Sequence, residues 1–327
     1  MTTTETKALS IALLLVWLLP IFSQNQFLLH VMIMVFLYAI LASSLNLTIG
    51  FVGELSLGHA AFFGIGAYTS AILSTKWGLP TPECLLLAGL FAGLLGLLVG
   101  GVTLHLEGDY FVLITLSISE VLRLVAINWV EVTNGTLGFS NLSAPALALG
   151  KWSLLVSSKT EFYYYALGLL TITVLCISAY VRSKFRLGAI AVRENRSLAK
   201  SVGIDPFIQA LITFVAGAFF AGLAGSFYAH YITFVGPEVF GFSFTVTIVM
   251  AVVVGGKGTV LGPILGAALV VVSLEYLRFI QEARLVMFGL LLMLMAMFFP
   301  NGIMGFVLEQ SRSASRKAKF ASIKSGV

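Results

Sequence analysis

ALSIALLLVWLLPIFSQNQFLLHVMIMVFLYAILASSLNLTIGFVG, residues 8–53, contains no Asp, Glu, Lys or Arg. A helix needs about 20 consecutive apolar residues to cross the hydrocarbon core of a bilayer. The run is therefore long enough for two crossings, with a turn at Gln24, Asn25 and Gln26. Its first part, 8–22, leads into Ser23-Gln24-Asn25-Gln26 without a small-residue cleavage site, so it is expected to stay as a helix rather than act as a signal peptide. The same pattern continues outward at 55–75, 84–106, 162–180, 206–237, 239–256, 258–274 and 285–308. One more apolar stretch, between Asp109 and Glu131, is interrupted only by Glu120 and Arg123. About ten spans joined by short polar turns are expected.

Composition excludes the alternatives. Of 327 residues, 59% are hydrophobic and 10% charged, against roughly 25% charged in soluble chains. A soluble enzyme, a disordered chain and a disulfide scaffold are all excluded. A membrane β-barrel would alternate apolar and polar residues over segments of about ten, whereas 90–102 and 285–298 are apolar on every face. The expected fold class is all-α: a polytopic transmembrane helical bundle. Cys84 and Cys176 fall at different depths of their spans and read as small apolar residues rather than a disulfide.

Orientation follows from the basic residues. Arg182, Lys184, Arg186, Arg193, Arg196 and Lys200 cluster in one loop, and Arg312, Arg316, Lys317, Lys319 and Lys324 in the tail. Both segments are expected in the cytoplasm, which places the N-terminus inside and the loop 132–160 outside. The net charge of +5 is carried by the tail, whose expected partner is the anionic headgroups of membrane lipids rather than nucleic acid.

Thirty-two glycines serve two purposes. Gly89 with Gly93, Gly96 with Gly100, Gly217 with Ala221 and Gly225, and Gly262 with Gly266 repeat every four residues, the spacing of close helix seams in lipid. Two other clusters also contain polar residues: Gly50 to Tyr68, with Gly53, Glu54, Ser56, Gly58 and His59, and Gly255 to Pro263, with Lys257 and Thr259. Such stretches suit bent or broken helices, and irregular backbone at membrane depth survives only inside protein or beside a wet cavity. Leu57-Gly58-His59 and Leu261-Gly262-Pro263 suggest a weak internal repeat. The second cluster lacks the glycine spacing of a phosphate loop.

At these residues the chain resembles a known family. Leu45-Asn46-Leu47 through Gly53, Ser56-Leu57-Gly58-His59-Ala60 and Gly66-Ala67-Tyr68 are similar to the permease subunits of bacterial branched-chain amino acid ABC importers. Gly108-Asp109-Tyr110-Phe111, Glu120-Val121-Leu122-Arg123, Arg193-Glu194-Asn195 with Ala199 and Gly203-Ile204, then Ala221 to Gly225, Gly255-Gly256, Gly262-Pro263 and Phe299-Pro300-Asn301-Gly302-Ile303 follow in family order. The resemblance spans about 35–307 and looks most like the longer M-type (LivM-like) subunit. It implies a type II ABC importer-like permease domain over 1–307, with a coupling loop at about 182–206 and a basic cytoplasmic tail at 308–327, in the bacterial inner membrane. It implies four partners: a second, H-type permease, two cytoplasmic ATPase subunits and an extracytoplasmic substrate-binding protein. ATP and Mg belong to the ATPases; this chain is expected to bind no cofactor and no metal and to hold no catalytic residue. The substrate implied is a branched-chain or other hydrophobic amino acid, with urea or short-chain amides as the alternative.

Two other function classes fit these residues less well. A secondary transporter would need coupling groups near the midplane, where Glu120 and Arg123 stand and can neutralise each other. An intramembrane serine protease would use Ser56 and His59, but Glu54 occupies the first glycine position of Gly-x-Ser-x-Gly. The pathway or gate is accordingly expected at Asn46, Glu54, Ser56, Gly58, His59, Phe62, Phe63, Tyr68, Glu120 and Arg123. Ser56 and His59 offer hydrogen bonds, Phe62 and Phe63 an apolar constriction, and Glu120 with Arg123 an internal ion pair at i,i+3. Coupling to the ATPase is expected of one continuous helix carrying Arg193, Glu194, Asn195, Arg196, Leu198, Ala199 and Val202 and closed by Gly203. Leu198, Ala199 and Val202 would form its apolar docking stripe and the charged residues a rim.

Overall fold

The computed structural model describes residues 25–106, 108–142, 145–149, 152–156, 158–277 and 302–306, with isolated positions 17, 20, 289, 293 and 297. The first expected span, most of the last one, and the tail 308–327 lie outside the described residues. Each of the other eight spans corresponds to a helix. They are α1 (Gln26–Asn46), continued by a π-helical turn (Leu47–Val52), α2 (His59–Lys76), α3 (Thr81–Thr103) and α4 (Asp109–Asn128). After a short α5 (Val130–Thr133) come α6 (Lys159–Arg182), α7 (Lys184–Glu194), α8 (Arg196–Ser201), α9 (Pro206–Ile232), α10 (Phe242–Gly255) and α11 (Gly262–Tyr276). Five of them, α1 with its π turn, α3, α4, α6 and α9, are long and apolar enough to cross a bilayer; α10 and α11 are shorter apolar helices. The chain is a polytopic helical membrane protein.

Local chemistry starts these helices where the sequence says. Asn25 caps α1 by accepting from the Phe27 amide at 2.9 Å. Ser158 and Glu161 form a reciprocal capping box at the start of α6. Asp205 accepts from the Phe207 and Ile208 amides, and Pro206 occupies the first turn of α9, where its missing amide is not needed.

The core is built around α9, which packs on α3, α2 and α1. Lipid gives helices no hydrophobic reason to associate, so close dispersion contact between small residues decides neighbours. A Cβ at Gly96 would stand 2.6 Å from the Ala218 Cβ, and one at Gly225 would overlap the Phe63 carbonyl. α10 and α11 cross equally closely: Cβ atoms at Gly255 and Gly266 would overlap the Gly262 and Ala251 carbonyls. The seams expected at four-residue spacing therefore pack as expected, α9 using several faces at once.

Three short strands lie in the loop 132–160, and a fourth, at 234–235, lies within the stretch 206–237 expected as a span. β1 (Phe139–Ser140) pairs antiparallel with β4 (Phe234–Val235), and β2 (Ala146–Leu149) forms a hairpin with β3 (Trp152–Leu155). The loop 132–160 is thus tied to the end of α9. It is also tied to α1 and α2, since Lys159 donates to the Gln26 carbonyl at 3.4 Å and Lys76 to the Val132 carbonyl at 3.1 Å. This end of the bundle is opposite the basic end, where α7 and α8 lie.

Two stretches of non-helical backbone enter the bundle between its ends. Residues 53–58 run beside the second turn of α4: the Leu57 amide donates to Thr115 Oγ1 at 3.2 Å, and Thr245 Oγ1 of α10 donates to the Leu57 carbonyl at 3.1 Å. The 3-10 turn Pro237–Phe240 meets the middle of α4, where Ser119 donates to the Phe240 carbonyl at 2.9 Å. Both are held by protein groups, as irregular backbone at this depth requires.

Candidate functional site

At the basic end of α1 the helix widens into a π turn, a form most often found at functional sites. Gly53, with φ of 90°, ends it. The wide turn brings Gly50 so close to the backbone of Gly258 that a Cβ would stand 2.8 Å from the Gly258 Cα. One turn earlier, the buried Asn46 clasps the same loop from both sides of its amide: Oδ1 accepts from the Gly258 amide at 2.8 Å and Nδ2 donates to the Thr259 carbonyl at 2.8 Å. The two glycine clusters, far apart in sequence, thus form one structure.

Two arginines join it to the basic loop. Arg193, in the last turn of α7, donates Nη1 to the Gly50 carbonyl at 2.7 Å and Nη2 to Glu194 Oε1 at 2.9 Å. Its stem crosses Gly53, where a Cβ would meet the Arg193 Cγ at 2.6 Å. Arg196, opening α8, bonds Glu54 at 2.5 Å; their side chains are 25% and 12% exposed. Excluding water from that pair strengthens it relative to a surface bridge.

The expected continuous helix is broken here. Asn195 adopts extended angles, φ −163° and ψ 111°, and its Oδ1 accepts from the Leu198 amide at 3.0 Å. Asparagine competes for backbone hydrogen bonds in this way and so favours caps over helix interiors. Arg193 and Glu194 therefore close α7, and α8 is a separate helix. It ends in a Schellman turn: the Gly203 amide donates to the Lys200 carbonyl at 3.1 Å and the Ile204 amide to the Ala199 carbonyl at 3.0 Å, with Gly203 at φ 83°. The expected stripe also divides. Leu198 and Val202 are 65% and 73% exposed, while Ala199 is buried, because each residue turns about 100° from the last and Ala199 faces the bundle. Beside α8 lies a groove of about 510 Å³ lined by His105, Arg196, Lys200, Asp205 and Phe207 among others.

The segment expected to line a pathway is instead packed inside this chain over much of its length. Ser56 is buried and accepts from the Gly58 amide at 3.3 Å. Gly58 sits against the Thr115 carbonyl, 2.6 Å from where its Cβ would be. His59 is buried with Nε2 2.7 Å from Ser44 Oγ. Phe62 meets Phe214 edge-on at 5.2 Å, and Phe63 meets Tyr228 and Phe244 at 5.2 and 5.4 Å. These two rings are buried side chains of the helix seams. Tyr68 stacks on Phe240 at 5.5 Å, and its buried hydroxyl has no hydrogen-bond partner among the described residues.

Glu120 and Arg123 do form the expected pair, bidentate at 2.6 and 2.9 Å. It is not internal to the chain: the side chains are 51% and 33% exposed. Gly50, Gly258, Thr259 and Glu238 were not singled out from the sequence as site residues. Only the flanking glycine clusters signalled the first three, and nothing local marked Glu238.

Comparison with known proteins agrees with this architecture. The family described as branched-chain amino acid transport system, permease component, matches residues 27–297. The permease protein LivM of the high-affinity branched-chain amino acid transport system of Salmonella typhimurium is 34% identical over 305 residues, covering 88% of this chain and 72% of LivM. LivM of Escherichia coli K12 is 34% identical over 302 residues, covering 86% and 71%. The high-affinity branched-chain amino acid transport system permease protein LivH of Salmonella typhimurium is 25% identical over 288 residues, covering 82% and 91%. No solved structure matches. With the family match running through α1 to α11 and a third of the residues shared with LivM, this chain belongs to the permease-component family of branched-chain amino acid transport systems.

Proposed function

We propose that this chain is one of two permease halves of an ATP-driven importer of branched-chain amino acids, and that α8 passes the motion of an ATPase subunit into the membrane helices. The second half is an H-type permease, two ATPases bind ATP and Mg at the cytoplasmic face, and a binding protein delivers substrate from outside. Domain limits of 1–307 for the permease and 308–327 for a basic tail, both termini in the cytoplasm and residence in the bacterial inner membrane belong to the same reading.

The observation that carries it is the pair of arginine links between α7–α8 and the broken end of α1. A docked motor needs an apolar surface and a stiff connection. Leu198 and Val202 provide the surface, Arg196 and Lys200 its charged rim, and the groove beside them a recess. Arg196 pulls on Glu54, Arg193 on Gly50, and Asn46 on the loop that opens α11. Displacing α8 thus displaces the π turn, the segment 53–58 and the start of α2 together. Asn46, Glu54, Ser56, Gly58 and His59 act in this reading as gate elements that transmit and hold, and Phe62 and Phe63 as the packing they move.

The test is the complete importer in proteoliposomes. Leu198→Glu with Val202→Glu leaves the permease in the membrane but removes co-purifying ATPase and leucine uptake. Ala199→Arg would not serve, because Ala199 is buried. Normal uptake and co-purification in the double variant reject docking through α8; uptake of urea or a short amide in place of leucine by the unmodified importer rejects the substrate.

A further inference from the structure

Within the five long apolar helices, Glu120 and Arg123 are the only Asp, Glu, Lys or Arg more than a turn from a helix end. At about 1.5 Å per residue, Glu120 stands about 17 Å along an α4 roughly 30 Å long, close to mid-membrane. The exposed stripe of α4 runs its full length through Tyr110, Leu113, Ser117, Glu120, Leu124 and Asn128. The exposed face of α3, by contrast, is apolar, with Leu86, Leu90, Leu94 and Leu97. Charged groups at mid-depth face protein or water rather than lipid, so the α4 stripe is turned toward the interior of the assembled importer and the α3 face toward lipid.

The surroundings of the pair are more than a neutralised structural bridge needs. The 3-10 turn Pro237–Phe240 interrupts the helical path at this same depth, bonded to α4 through Ser119. It carries Glu238, an exposed carboxylate two residues before the Phe240 carbonyl that Ser119 bonds. Tyr68, stacked on Phe240 of that turn, holds a buried hydroxyl without a partner among the described residues. The turn that carries Glu238 thus bonds α4 one residue before Glu120, so a second carboxylate stands on the element packed against the pair.

We infer that Glu120, Arg123 and Glu238 form a mid-membrane way-station for the zwitterionic head of a free amino acid, its carboxylate on Arg123 and its ammonium on the carboxylates. This rests on the proposed importer function. The empty station is neutralised by its own bidentate bridge, and an arriving zwitterion exchanges that bridge for two equivalent ones. The exchange is nearly even in energy, which a pathway requires, since a site that binds strongly would not release. Leu113, Val121 and Leu124 offer apolar surface beside it for the substrate's side chain.

The complete importer, reconstituted with its binding protein, tests this with labelled leucine as the probe. Arg123→Gln, Glu120→Gln and Glu238→Gln each lower uptake by about tenfold or more while binding-protein-stimulated ATP hydrolysis stays within about twofold. Arg123→Lys, which keeps the charge, recovers a large part of the uptake. Glu238→Gln is the decisive variant, because Glu238 makes no ion pair within 4.0 Å among the described residues and its loss leaves no partner stranded. Wild-type uptake in Glu238→Gln and Arg123→Gln overturns the way-station, as does loss of subunit assembly in both Arg123→Gln and Arg123→Lys, which marks a packing bridge. Failure of the unmodified importer to carry any amino acid rejects the importer reading itself.

Discussion

Arg193 Nη1 donates to the carbonyl oxygen of Gly50 across 2.7 Å, joining a helix of the basic loop to the π turn of α1. In a regular α-helix that carbonyl would accept from the amide four residues on; the π turn shifts this pattern and the guanidinium takes a place at the oxygen. Arg193→Gln removes a charge-assisted hydrogen bond to a buried carbonyl, a loss of about 1.5–3 kcal/mol. A lower unfolding temperature of the detergent-purified permease is expected, and in the assembled importer ATP hydrolysis no longer tied to uptake. Unchanged ratios of leucine moved to ATP consumed would show that this bond carries no motion.

Gly50→Ala places a methyl group against Asn46 Oδ1 and the Gly258 backbone. Overpacking of that kind costs about 1–3 kcal/mol and opens the Asn46 clasp. Gly101→Ala in α3 is the control, since a Cβ there meets nothing within 4 Å; it should be neutral or stabilising by up to about 1 kcal/mol. Equal thermal shifts for the two variants would contradict the close approach of the two glycine clusters.

Glu54 and Arg196 should show coupling in a double-mutant cycle. Exposed pairs give about 0.2–1 kcal/mol, and this pair, with side chains 12% and 25% exposed, should exceed that range. Unfolding of Glu54→Gln, Arg196→Gln and the double variant measures it. A coupling at or below the surface value would mean that solvent screens the pair.

Asn195→Ala deletes the cap of α8 at a cost of about 1 kcal/mol and favours a continuous α7–α8 helix; Asn195→Asp keeps an acceptor and should stay close to wild type. The continuous helix would carry Leu198 and Val202 to a new direction. ATPase co-purification should therefore fall in Asn195→Ala and hold in Asn195→Asp, and equal behaviour would show that the break is not needed for docking.

The spans were legible in the sequence because their cause is local. Every backbone polar group in lipid must be satisfied within its own helix, so a charge-free run of sufficient length is already a helix, as 26–52, 81–103 and 206–232 confirm. Ser158 with Glu161 and Asp205 with Pro206 announce helix starts for the same reason. The glycine clusters around Gly53 and Gly256 likewise marked broken backbone. Tertiary structure alone decided what those breaks are for. That Asn46 and Gly50 meet Gly258, that Arg193 reaches the π turn, and that Ala199 is covered while Leu198 is not all depend on which helices are neighbours. So does the turn carrying Glu238 reaching α4 at Ser119, across more than a hundred residues of chain. Hydropathy cannot rank those neighbours, since every apolar face is equally content in lipid; the choice falls to close contacts such as Gly225 on Phe63 and Gly96 on Ala218, which exist only once the helices have come together.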